Sequence, residues 1–320
     1  MAAYIARRLV QAAGVVLAVV TLVFALIHLA PGDPIYALAG ESGNAAYYAE
    51  MRAHFGLDRP LPEQFLIYVS DVLRGDFGRS YVQKQPVMQV ILARVPATAL
   101  LLFTALTLAS ALGIFVGVEA GRRPGSLVDI GIRIGTLLAF CAPAFWMGQL
   151  LLLLFGARLG WFPIQGMVTA RGGYHGFAYV LDVARHLVLP AVTLGLLQIA
   201  LIARLTRAGI RESLAEDYVR TAGAKGLGAG AVIYRHALPN ALLPVVTVVG
   251  GHVGSFITGA VLTEIVFAWP GLGRLLYDAT LSRDYPLLMA MFELATVFVV
   301  VANLVTDLIY AALDPRVRYR

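Results

Sequence analysis

The sequence predicts an all-α integral membrane protein with about six transmembrane helices and both termini in the cytoplasm. Three observations point there. Of the 320 residues, 59% are hydrophobic and only 14% charged, against about a quarter in a soluble domain; the mean hydropathy is +0.77. Several apolar runs can cross a bilayer core of ~30 Å, and they are continuous rather than alternating, unlike the strands of a barrel. The basic residues, nearly all Arg, sit beside these runs, so the net charge of +6 reads as orientation and not as nucleic-acid binding. Cys141 stands alone, which excludes an intrachain disulfide and a cysteine metal cluster. In its apolar run it reads as a small core residue.

Residues 1–30 form the first span. Arg7 and Arg8 precede an apolar run over 9–30, ~20 residues and enough to cross. A cleavable signal would have a shorter apolar region and a small-x-small site. The turn cluster Pro31-Gly32-Asp33-Pro34 follows instead, so the span is read as retained. His28 falls at its end as an interfacial residue. Residues 31–95 are the extracytoplasmic region. Two amphipathic pieces, 47–55 and 63–73, lie in it, and acidic and basic residues nearly balance. That balance, against the Arg-rich turns elsewhere, places it outside. It serves either as a spacer or as a docking surface for a partner.

Residues 96–313 are the core. The second span, 96–119, leads into Gly113, Gly117 and Gly121 at i, i+4, i+8, a stripe that admits another helix closely. Arg122-Arg123-Pro124-Gly125 is a basic turn and therefore cytoplasmic. The third span covers 130–155, with a kink expected at Pro143 and Trp161 and Phe162 just beyond as interfacial anchors. The fourth covers 187–203, with Pro190 placed in its first turn and Arg204, Arg207 and Arg211 at its inner end. His175, Asp182 and His186 are too irregularly spaced to read as a metal site. The fifth span covers 241–266. Thr247, Gly251, Ser255 and Thr258 share one side of it, either a packing face or a translocation path. His252 and Glu264 are ionisable near membrane depth; Glu264 is close enough to the outer end to be read as wetted. An external segment over 267–286 precedes the sixth span, 287–313. That span carries Glu293, Asn303 and Asp307, read as paired groups. A basic tail, 314–320, ends the chain inside.

Between the fourth and fifth spans lies the longest polar interruption of the second half, a cytoplasmic loop over 207–240. A short helix over 213–225 is expected, with Glu216 and Asp217 near its start and Lys225 near its end, as the helix dipole prefers. Gly226 then supplies a stop. A second segment, 231–238, leads to Pro239 and Pro244.

Arg220-Thr221-Ala222, then Gly226, then Leu238-Pro239 resembles the EAA loop of bacterial ABC-importer permeases. Arg220 and Thr221 stand where that broad family has Glu and Ala. The stretches DYVRTA, AKGL and RHALPNALLPVVT are similar to the dipeptide/oligopeptide/nickel branch, in which that Glu is commonly absent. PGDP at 31–34, HFGLDRP from His54, LRGDFGRS from Leu73 and EIVFAWPGLGRLLYDATLSRDYPL from Glu264 resemble the same branch, so the likeness covers essentially the whole chain.

The resemblance implies a type I ABC-importer permease fold in the bacterial cytoplasmic (inner) membrane. It implies that Glu216, Asp217, Tyr218, Val219, Arg220, Thr221, Ala222, Ala224, Lys225, Gly226 and Leu227 form the helix that docks in a groove of an ATPase subunit. It further implies a second homologous permease, two ABC ATPase subunits and an extracytoplasmic substrate-binding protein as partners. ATP and Mg would be held by the ATPase subunits and no cofactor by this chain. The expected cargo is di- or oligopeptides; nickel or another small solute is the alternative within the family. The sequence carries no Gly-Lys-Ser/Thr phosphate loop, no HExxH and no GxSxG, so an enzyme reading lacks support. An ion-coupled secondary transporter would call for internal repeats and paired mid-membrane charges.

Overall fold

The computed structural model describes residues 2–29, 43–54 and 58–313, and all regular structure among them is helical apart from one isolated bridge, Arg79 to Pro86. The turn at 31–34 and the tail 314–320 lie outside the described residues. In order the helices are α1 (Ala2–Leu29), α2 (Ala45–His54), α3 (Leu61–Arg74), α4 (Val87–Arg122), α5 (Leu127–Cys141), α6 (Ala144–Leu151) with a π-helical extension (Leu152–Arg158), and α7 (Phe177–Ala215). They continue with α8 (Asp217–Ala224), α9 (Ala229–Ala231) with a π-helical segment (Val232–Ala237), α10 (Leu238–Ala241), α11 (Leu243–Val266), α12 (Leu272–Leu281) and α13 (Tyr285–Leu313). The chain divides into two compact units, Met1–Pro96 with Leu275–Arg320, and Ala97–Arg274.

In the first unit α1 packs on α13, and the amphipathic α3 lies on α1. Phe24 meets Phe65 edge-on at 5.3 Å and Tyr68 at 5.7 Å, spacings favourable for aromatic pairs. His28 Nε2 lies 3.0 Å from Gln64 Oε1. Gly75, at φ +74°, ends α3: its N–H reaches Val72 O and that of Asp76 reaches Asp71 O, the closing pattern a left-handed glycine permits. The long polar stretch after α1 is thus partly folded onto the first span.

The second unit is built on two long apolar helices. α4 has 36 residues and α7 has 39, about 54 and 58 Å at 1.5 Å per residue, so both outrun a ~30 Å core. The glycine stripe of α4 meets a matching row on α7. A Cβ on Gly113, Gly117 or Gly121 would stand 2.7, 2.6 or 2.9 Å from Ile202, Thr206 or Ile210. Both rows advance by four residues in the same chain direction, so the two helices run parallel and their Arg-bearing C-terminal ends point the same way. Around them pack Leu101, Ala105, Leu187, Ala191, Leu194, Ala260 and Trp269.

Four local expectations change. α4 and α7 begin well before the predicted spans, so Pro96 and Pro190 both lie inside helices. Pro190 is buried, and its neighbours along the helix, Leu187, Ala191 and Leu194, belong to the apolar core. The third span does more than kink: α5 stops at Cys141, Ala142 turns extended before Pro143 as proline demands, and the two halves meet at 111°. Cys141 is consequently exposed at the break rather than in a core. The polar helix expected over 213–225 is two pieces, because α7 continues to Ala215 before the chain turns.

Candidate functional site

The interruption between α7 and α11 forms a small platform at the C-terminal ends of α4 and α7. Glu216 leaves α7 in an extended conformation (φ −75°, ψ 146°), and its carbonyl accepts the N–H groups of Val219 and Arg220. That starts α8. The helix ends where Lys225 N–H reaches Thr221 O and Gly226 N–H reaches Gly223 O, with Gly226 at φ +83°. A β-branched residue would be strained there.

α8 has two faces with opposite duties. Val219 and Ala222 are buried. Val219 joins Val118 of α4, Ile210 of α7, and Ile233, Ala237 and Ala241 of the following segment. Burying a valine side chain contributes about 1.5 kcal/mol or more. Gly209 lets α10 approach closely: a Cβ there would stand 2.8 Å from Ala241 O. Asn240 Nδ2 donates to the Tyr218 hydroxyl at 2.7 Å. On the opposite face Glu216, Asp217, Tyr218, Arg220, Thr221, Ala224, Lys225, Gly226 and Leu227 are exposed. Asp217 and Arg220 lie 3.6 Å apart but stay largely solvated, so that pair adds little stability. Of the sequence-predicted set, Val219 and Ala222 therefore serve the chain's own packing, and the others form the offered face.

One turn behind the platform sits an ion pair that the sequence reading missed. Asp129 is fully buried. Arg207 donates to it twice, Nε to Oδ1 at 2.5 Å and Nη2 to Oδ2 at 2.8 Å, the fork geometry of a strong Arg–carboxylate contact. Gly125 N–H donates to Oδ2 at 3.0 Å, and Asp129 N–H donates to Ser126 Oγ. The pair ties the α4–α5 turn to α7. Its sequence signal was Ser126-x-x-Asp129, a helix-start pattern; nothing local pointed to Arg207 as the partner.

A second carboxylate organises the far end of the same unit. Glu264 is fully buried rather than wetted. Thr98 Oγ1 donates to its Oε1 at 2.6 Å and Arg274 N–H to its Oε2 at 3.1 Å, while Thr98 Oγ1 accepts Leu272 N–H at 2.8 Å. Glu264 thus caps the N-terminus of α12, where a negative charge is favoured. Gly271 exists to make room: a Cβ would fall 2.2 Å from Glu264 Oε1. Trp269, fully buried, donates Nε1–H to Ala97 O at 2.8 Å, and Gly166 N–H donates to Phe267 O at 2.9 Å.

In the first unit, Tyr68 of α3 donates its hydroxyl to Glu293 of α13. Burial, with the Glu293 carboxylate beside it, pushes the Tyr68 phenol well above its usual range, so it stays neutral and donates. Asp284 accepts Ser80 Oγ at 2.5 Å and the N–H groups of Tyr81 and Val82, fastening the stretch before α4 to the start of α13. Elsewhere Asp182 takes Thr169 N–H and Oγ1 at 2.7 Å each and lies 3.6 Å from His186; its partners are structural. Thr247, Gly251, Ser255 and Thr258 all fall on α11, but their side chains, with those of His252, Asn303 and Asp307, lie outside the described residues.

Residues 109–319 match the family described as binding-protein-dependent transport system inner membrane component, and residues 1–102 match its N-terminal companion. The di/tripeptide transport system permease protein DppB of Pseudomonas aeruginosa is 40% identical, with all of both chains covered. The oligopeptide transport system permease protein AppB of Bacillus subtilis is 39% identical, again over all of both chains. A crystal structure of an amino acid ABC transporter with histidines matches at TM-score 0.53 and 13% identity, covering 70% of this chain and 94% of that one, a likeness of fold. The chain therefore belongs to the binding-protein-dependent transport system inner membrane components, the membrane-embedded permease subunits of ABC importers.

Proposed function

We propose that this chain is one of two permeases in an ATP-driven importer that carries di- or oligopeptides across the bacterial inner membrane. The observation that carries the mechanism is the two-faced α8: one face is buried against α4 and α7, the other is exposed and polar. A partner that grips the exposed face moves the ends of two long helices, because Val219 on the other face is packed against Val118 of α4 and Ile210 of α7. In this reading α8 and its flank, Glu216 to Leu227, dock in an ATPase subunit. Closure of two such subunits on ATP and Mg shifts the populations of inward- and outward-open states. α1, α4, the bent α5–α6, α7, α11 and α13 make six spans in a type I permease fold. Both termini lie in the cytoplasm, in keeping with the Arg bias. The region 31–95 faces outward toward a substrate-binding protein, and the small-residue side of α11 at Thr247, Gly251, Ser255 and Thr258 lines the path.

The cargo proposal rests on the peptide permeases named above. Uptake of a labelled dipeptide by cells lacking this gene, with and without the gene restored, tests it. Restored peptide uptake supports the reading; restoration of nickel uptake alone would move the cargo to the metal branch.

A further inference from the structure

Two arginines one turn apart on α7 reach in opposite directions. Arg207 pairs with Asp129, the third residue of α5, and Arg204 lies over the ring of Phe140, the last residue but one, at 4.5 Å. Those two targets are about 16 Å apart along α5 at 1.5 Å per residue, whereas Arg204 and Arg207 are separated by only about 4.5 Å along α7. Arg204 is therefore aimed away from the basic turn at 122–125 and at the break that follows Cys141. Arg133, Arg204 and Arg207 line one cleft of about 500 Å³ between α5 and α7. Arg207 is neutralised by Asp129, and Arg133 adds its charge to the same carboxylate. Arg204 has no carboxylate partner among the described residues. Its contact with Phe140 uses the flat face of the guanidinium, which keeps its charge and its in-plane N–H donors for another group.

The backbone at the break is open as well. Pro143 has no N–H for the Ala139 carbonyl, Ala142 is extended, and the two halves part at 111°. Phe140 and Cys141 on one side of the break, and Phe145 and Trp146 on the other, are exposed. Non-helical backbone within a bilayer persists only inside protein or beside a water-filled cavity, and transporters hold substrate at such interrupted helices. The groups gathered here match a short peptide. Its C-terminal carboxylate suits the fork of an unpaired guanidinium, its N–H groups suit an acceptor carbonyl, and its side chains suit exposed rings.

We propose that Arg204 binds the C-terminal carboxylate of a transported peptide at the α5–α6 break. The proposal rests on the reading of α5–α6 as one broken span of a peptide importer. Every peptide carries that carboxylate whatever its side chains, so the site holds cargo by a group common to all of it.

Cys141, the single cysteine of the chain and exposed at the break, reports on the site. The importer is purified through a tag on this chain, without the extracytoplasmic binding protein. Modification of Cys141 by N-ethylmaleimide is then followed by the intact mass of this chain. Dialanine should slow the modification severalfold at saturation. Dialanine amide, which lacks the carboxylate, should need a roughly tenfold to hundredfold higher concentration for half protection. Arg204→Gln should raise the half-protecting concentration of dialanine by the same factor and so bring peptide and amide together. Arg204→Lys should recover part of the difference, and Arg211→Gln, two turns further along α7, should leave it unchanged. A monodisperse profile on size-exclusion chromatography confirms that each variant is folded. Equal protection by peptide and amide, or wild-type protection in Arg204→Gln, would overturn the proposal. So would a Cys141 that the reagent cannot reach, which would put another subunit over the break, or one that dialanine never protects. Uptake is not the readout, so either failure would leave the importer reading to its own test.

Discussion

The two ends of the Ala97–Arg274 unit treat their polar groups in opposite ways. At the Glu264 end a set of donors and acceptors is turned inward: Thr98, Glu264 and the N–H groups of Leu272 and Arg274 satisfy one another beside Trp269. At the α8 end the inward face is apolar and the polar side chains point away. The first arrangement makes a self-contained joint, stiff because each member would be left unsatisfied if it moved. The second makes a surface that is incomplete alone, mounted on a base that is not. The Asp129–Arg207 pair lies on the α8 side and belongs with the base, not with the surface.

Breaking the joint should have the largest effect. Glu264→Ala strands the Thr98 hydroxyl proton and the Arg274 N–H in a buried space, at about 1–3 kcal/mol for each orphaned group, and Trp269→Ala costs about 3–5 kcal/mol by cavity formation. Either should sharply reduce the folded chain recovered on size-exclusion chromatography, and wild-type recovery of both would show the joint to be dispensable. Next comes the helix seam. Gly117→Leu forces α4 off Thr206 and Ala203 and should cost about 1–3 kcal/mol or more, read as a fall in thermal midpoint; an unchanged midpoint would mean the helices do not pack as described.

The surface should respond differently, losing function at nearly wild-type recovery. Gly226→Val places a β-branched residue at φ +83°, at a cost of roughly 1–2 kcal/mol. Peptide uptake and ATPase co-purification should both fall severalfold while the membrane level stays normal. Ala224→Arg, on the exposed face, should do the same. Ala222→Arg would mix the two effects, because Ala222 is buried against the chain itself, so a clean loss of coupling from that variant would contradict the two-faced description. The ion pair of the base comes below these. Asp129→Asn removes the charge from a bidentate contact and should lower the thermal midpoint by an amount corresponding to about 1–3 kcal/mol. Restored stability in Asp129→Asn with Arg207→Gln would confirm the coupling. Smallest of all, Arg220→Ala removes a solvated partner of Asp217 and should change stability by less than about 0.5 kcal/mol; a tenfold loss of uptake there would make Arg220 a specific contact.

Much of this was legible from residues alone. Continuous apolar runs identify spans because lipid leaves the backbone no partner outside a helix. The glycine stripe at 113, 117 and 121 announced a close helix contact, since small residues at that spacing serve little else. The order of charges around 216–225, with Gly226 after it, marked a short helix and its end. These are properties of one element at a time, and sequence periodicity reports them directly.

Pairing between elements was not legible. Asp129 and Arg207 are 78 positions apart and Thr98 and Glu264 are 166 apart; no local pattern links them, because the contact exists only once helices are placed side by side. The same holds for depth. Glu264 looked wetted by its place near a span's end, yet α12 folds back over it, and Cys141 looked buried by its apolar neighbours, yet the 111° break leaves it outside. Composition and spacing determined that this chain is a helical membrane protein with a short polar helix near residue 220, and its motifs resembled a transport family. Tertiary packing decided which face of that helix is free and which carboxylates are buried, because burial and partnership depend on neighbours that the chain meets only after it has folded.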